Sequence, residues 1–115
     1  MARKAKIPAK IRATVLTRDN HICRACGFGG SENYAFALHC DHIVPEASGG
    51  ATTMDNLQTL CAACNGAKGA RVAHQFPVRA AVATEAEWAD NQKVVAQAFG
   101  TPNASIRAQI LRALR

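Results

Sequence analysis

The sequence lacks any apolar run near the ~20 residues of a membrane-spanning helix, and no contact with a membrane is expected. Its opening, MARKAKIPAK, is basic but carries no apolar stretch of the kind a secretory signal needs, which predicts a cytoplasmic protein. Acids are missing from residues 1–18, where Arg3, Lys4, Lys6, Lys10, Arg12 and Arg18 lie. The remaining residues hold eight bases and eight acids, so the whole net charge of +6 resides in that first segment. A polyanion is its natural partner, nucleic acid being the commonest, and a solvated arm is the alternative. Internal repeats are absent apart from two cysteine pairs. A chain of 115 residues makes one domain, or one domain with an appendage, and its core is modest.

The pattern of elements is short and mixed. Residues 1–10 read as a flexible basic arm. Pro8 suits a helix start, with Ile7, Ile11 and Val15 at helical spacing and a stop near Asp19-Asn20. HICRACGFGG reads as a tight turn between short strands. Residues 31–36 read as a loop, 37–43 as a strand, 45–55 as a loop, 56–61 as a second strand and 62–68 as a short helix closed by Gly69. Residues 70–83 form a weakly patterned connector. Thr84 and Glu87 make a capping box that opens a helix through Phe99, with Trp88, Val95 and Phe99 on one face. A last helix follows Thr101-Pro102. Residues 72–115 are thus expected to be a helical C-terminal extension. Its apolar face either caps the core or docks a second copy or a partner protein.

Five cysteines in a reducing compartment do not suggest a disulfide framework. Four of them stand as Cys23-Arg-Ala-Cys26 and Cys61-Ala-Ala-Cys64. Two such turns can place four thiolates in a tetrahedron around zinc, with Zn–S near 2.3 Å. A redox dithiol is disfavoured by the second copy and by the lack of a parallel βαβ pattern. A site closed by four thiolates has no position for water, so this zinc is expected to be structural. Cys40 alternates with Leu38 and reads as a small buried apolar residue.

Between the two pairs lie polar residues in unusual company. Asp41 and His42 stand together where an apolar strand ends, followed by Pro45 and Gly49-Gly50. Asn56 begins the next strand, and Asn65 follows Cys64. Asp41 and Asn65 offer hard oxygen ligands suited to Mg²⁺. Histidine is the commonest general base near neutral pH, and His42 can take that role. A divalent cation, a base and a rigid scaffold are the requirements for phosphodiester hydrolysis. Lys68 and Arg71 near the helix end, with Arg12 and Arg18 on the first helix, are candidates for phosphate contacts. His39 reads as an exposed strand residue.

The segments RDNHICRACG, LHCDHIVPEASGG, NLQTLCAACN and Lys68-Gly69, in that order, resemble the HNH endonuclease family over about residues 11–71. The resemblance implies an α+β chain built on a small ββα-metal fold, clamped by zinc, with an added N-terminal helix and a C-terminal helical extension. It implies a DNA endonuclease in which Asp41 and Asn65 bind the catalytic Mg²⁺ or Mn²⁺ and His42 is the general base. Asn56 would hold the loop that orients His42, and cleavage would leave a 5′ phosphate. Many family members have His where this chain has Asn65, and its oxygen favours Mg²⁺ or Mn²⁺ over softer ions. The rival reading is a zinc-ordered nucleic-acid-binding module without catalysis, which needs no Asp41-His42 pair.

Overall fold

The computed structural model describes residues 7–30, 37–69 and 81–99, together with Ala108 and Arg112. Helix α1 spans Ala9–Arg18. Pro8 precedes it with a φ of −55°, already suited to a helix, and its carbonyl accepts the Arg12 amide at 2.9 Å. Asn20 and His21 end it in the left-handed region, and the His21 amide closes back onto the Leu16 carbonyl at 2.8 Å. Val15 and Leu16 are its buried residues.

The first cysteine pair then forms a compact knuckle. The Cys23 amide bonds the Phe28 carbonyl and the Gly27 amide bonds the Cys23 carbonyl. The pair of short strands expected around this turn reduces to a single antiparallel bridge, Ile22 to Gly29. The turn is too tight for more, because a Cβ on Gly29 would fall on the His21 carbonyl oxygen.

Strands β1 (Leu38–His42) and β2 (Leu57–Cys61) pair antiparallel, Leu38 opposite Cys61 and His42 opposite Leu57. Helix α2 (Ala62–Lys68) leaves β2 without a linker, its first turn capped by the Cys61 sulfur. Helix α3 spans Glu85–Phe99. Its start is a reciprocal box: the Glu87 amide donates to Thr84 Oγ1, and the Glu87 carboxylate reaches back to the Ala83 amide. The arm before Ile7, residues 31–36 and 70–80 and, apart from Ala108 and Arg112, the helix expected from Thr101 lie outside the described residues. No helix among the described residues is long and apolar enough to cross a membrane.

One core joins these elements. Leu16, Phe28, Leu38 and Leu60 meet the four paired cysteines, with Trp88 and Val95 of α3 packed against them. The Asn91 side-chain amide also donates to the Cys26 carbonyl at 2.8 Å. The apolar face of α3 is therefore covered within the chain at Trp88 and Val95, both fully buried.

α1 is fastened by a buried carboxylate. Asp19 accepts Arg18 at 2.8 Å, Arg24 at 2.8 Å and the Thr59 amide at 3.0 Å. Burial alone would raise its pKa, but the Arg18 and Thr59 hydrogen bonds and the Arg24 charge outweigh it and hold the group below its usual range. A depressed folded-state pKa stabilises above the unfolded value near ~3.9 and is lost as pH falls through the folded one. Asp19→Asn is therefore expected to cost about 3–5 kcal/mol at neutral pH. Thermal melts of the two proteins should converge below about pH 4; a gap that persists unchanged in acid would contradict this role.

Candidate active site

The four paired cysteines are all fully buried, and their sulfurs lie within 4.8 Å of one another. Cys26 and Cys61 sulfurs are 3.6 Å apart. Sulfurs at 2.3 Å from a shared ion stand about 3.8 Å apart in a tetrahedron, so the spacing suits zinc. The Cys26 amide points at the Cys23 sulfur and the Cys64 amide at the Cys61 sulfur, each at 3.5 Å. Gln92 of α3 adds its amide to the Cys64 sulfur at 3.9 Å. As bare thiols, Cys23, Cys61 and Cys64 conflict. Burial would raise Cys23, but hydrogen bonds from the other three hold it low, and those same contacts push Cys61 and Cys64 up. A bound cation resolves the conflict, because a coordinating thiol is deprotonated outright. Cys40 stands apart from this group, half-buried, its thiol pushed up to about 11 chiefly by burial.

The clamp holds the Leu38–Cys61 end of the strand pair, and the polar residues lie at the other end. Asp41 and His42 close β1 and are 2% and 3% exposed, an unusual burial for an acid and a base. The loop after them is held by Asn56. Its Oδ1 accepts the Val44 amide at 2.9 Å, and its Nδ2 donates to the Val44 carbonyl at 3.0 Å and the Ala51 carbonyl at 2.8 Å. Gly50 is needed there because a Cβ would strike the Val44 carbonyl and crowd the Asn56 amide. The folded-back loop delivers Thr52 to His42, with Nε2 and Oγ1 at 2.9 Å, and Thr52 in turn donates to Glu46 at 3.4 Å.

Three of the four basic candidates make contacts within the fold. Lys68 is 1% exposed. Its ammonium donates to Asp41 Oδ1 at 3.1 Å and to the His42 carbonyl at 3.0 Å. The expected surface contact is corrected here: the lysine turns inward because it faces the strand end that carries an acid. Arg18 commits four N–H bonds to the fold, two to Asp19, one to the Met54 carbonyl and one to the Leu57 carbonyl. Arg12 donates to the Leu38 carbonyl at 2.9 Å. Both arginines dock α1 on the sheet. Arg71 lies outside the described residues, and His39 is exposed.

Sequence reasoning passed over Thr52, Glu46 and Gln58. Gln58 stands directly opposite Asp41 across the strands and is fully buried. The signal for it was a glutamine inside an otherwise apolar strand. Both ends of its amide, and the buried Oδ1 of Asn65, have no hydrogen bond within the protein. Asn65 lies one turn before Lys68 on α2, and residues three apart share a helix face. Oxygen donors of this kind fit a hard divalent cation.

Removal of zinc with a strong chelator, or Cys61→Ser, is expected to abolish cooperative melting, because both helices packed on the clamp lose their anchor. A chelated protein that still melts cooperatively near its original temperature would show that the cysteines need no ion.

Residues 23–71 match the model of the HNH endonuclease family, from the first cysteine of the knuckle to the residue three beyond Lys68. No curated protein and no solved structure gives a significant match. The matched segment contains the four-cysteine cluster, both strands, α2 and the Asp41-His42 strand end. The match covers somewhat less than half of the chain, and over residues 23–71 the chain is similar to the HNH endonuclease family.

Proposed function

We propose that the chain is a metal-dependent DNA endonuclease that hydrolyses phosphodiester bonds, with Asp41 and Asn65 holding one Mg²⁺ or Mn²⁺ and His42 as general base. The observation that carries this reading is the family match centred on a buried Asp41-His42 pair. When bound, such a cation supplies charge neutralisation at the scissile phosphate and at the departing 3′ oxygen.

The chain's own residues prepare the base. A hydroxyl has one proton to give. If Thr52 gives its proton to Glu46, its oxygen must accept from His42 Nε2–H. That hydrogen bond selects the tautomer in which Nδ1 keeps its lone pair, and Nδ1 then takes the proton from the attacking water. Asn56 holds the loop that carries Thr52, and so acts on His42 at one remove. In-line attack with departure of the 3′ oxygen leaves a 5′ phosphate. The net positive charge of the chain attracts the DNA backbone, so affinity should fall steeply with salt.

Plasmid DNA is expected to be nicked or cut in Mg²⁺ or Mn²⁺ and to stay intact after chelation of the divalent metal under conditions that leave zinc bound. His42→Ala should lose cleavage by a factor of ~10² or more while retaining DNA binding. Thr52→Val should slow cleavage and Thr52→Ser restore it, with zinc content unchanged in both. Binding without any metal-dependent cleavage would instead favour a zinc-ordered nucleic-acid-binding module.

A further inference from the structure

The pairing of Lys68 with Asp41 changes what the strand end offers a cation. Among the buried charged side chains of the described residues, Asp19 is matched by Arg24, and Asp41 by Lys68. Asn65 and Gln58 contribute neutral amides. Glu46 is exposed and lies beyond Thr52. Together with Lys68, the acid proposed to hold the cation carries no net charge. Lys68 is locked there twice over, by Asp41 Oδ1 at 3.1 Å and by the His42 carbonyl at 3.0 Å. Both side chains of the ion pair are 1% exposed, so salt and water screen the ammonium weakly.

Affinity for hard divalent cations rises with the number of charged ligands. One carboxylate offset by one ammonium is a poor site by itself. A phosphodiester brings its own negative charge and oxygen ligands to the same place. We infer that Lys68 cancels the charge of Asp41 in the free protein, so that divalent cation and DNA phosphate are taken up jointly, each strengthening the other. This inference rests on the nuclease reading above. Lys68 is thus a positioning and charge-setting residue rather than a backbone contact. Joint uptake keeps a hydrolytic centre from assembling before a substrate phosphate is present.

The test measures binding, using His42→Ala protein so that DNA stays intact. A short fluorescent DNA duplex is titrated by anisotropy with and without Mn²⁺, and Mn²⁺ binding to the free protein is followed by electron paramagnetic resonance. Mn²⁺ is expected to tighten duplex binding by about tenfold or more, and by linkage the duplex tightens Mn²⁺ equally. Adding Asp41→Asn should erase that coupling. Adding Lys68→Gln should raise Mn²⁺ affinity in the absence of DNA and shrink the coupling. Zinc content and melting report whether each variant is folded. If the Lys68→Gln protein fails to fold, the coupling in the His42→Ala protein decides alone.

Tight Mn²⁺ binding by the free protein that DNA changes by less than about twofold would overturn the inference and leave the nuclease reading standing. Unchanged Mn²⁺ affinity in folded Lys68→Gln protein would also overturn it. Absence of Mn²⁺ binding both with and without DNA would overturn the inference, and plasmid cleavage by the unmutated protein, assayed in parallel, would show whether the nuclease reading falls with it.

Discussion

Four buried sulfurs converging on one point are the constraint from which the rest of this small structure hangs. A two-stranded sheet is marginal by itself, and the three helices among the described residues have little apolar surface to hold it. The cysteine group ties the knuckle after α1 to the end of β2 and the first turn of α2. It also gives α3 a surface to pack on, through Trp88, Val95, Asn91 and Gln92. Cys61 is at once the last residue of β2 and the cap of α2, so strand and helix cannot rotate independently. That rigid corner directs one face of α2 at the end of β1.

The same corner explains how so small a core tolerates buried charge. An ionised side chain taken from water is costly unless it is paired and hydrogen-bonded. Asp19 has two arginines and a backbone amide. Asp41 has Lys68 delivered by α2. The first network closes the outer face of the fold by docking α1, and the second lies at the proposed catalytic end. Removing a strand or a helix would strand one of these charges, so the polar groups help specify a single arrangement. The loop between the strands follows the same logic: Asn56 satisfies its backbone, and that frees Thr52 to engage His42.

Much of this was legible in the sequence because it rests on local spacing. The two C-x-x-C turns announce a shared ion. Helix and strand limits are marked by Pro8, Asn20, Gly69 and the Thr84–Glu87 box, and the observed elements match them to within a residue or two. Asp41, His42, Asn56 and Asn65 could be singled out because acid, base and amide at strand and helix ends need a reason. What the sequence hid depends on long-range geometry. A lysine looks the same whether it reaches into solvent or folds under a helix, so the sequence does not show that Lys68 meets a partner 27 residues earlier. The docking role of Arg18 is hidden for the same reason, since its carbonyl partners sit 36 and 39 residues away. Thr52 and Gln58 belong to ordinary loop and strand patterns, and their importance arises from what lies across from them.

The thiolate clamp is best tested by X-ray absorption at the zinc edge on the purified protein. The account predicts one zinc per chain surrounded by four sulfurs at about 2.3 Å, with no lighter ligand in the shell. A shell containing nitrogen or oxygen, or a protein that folds with its four cysteines unligated, would contradict it.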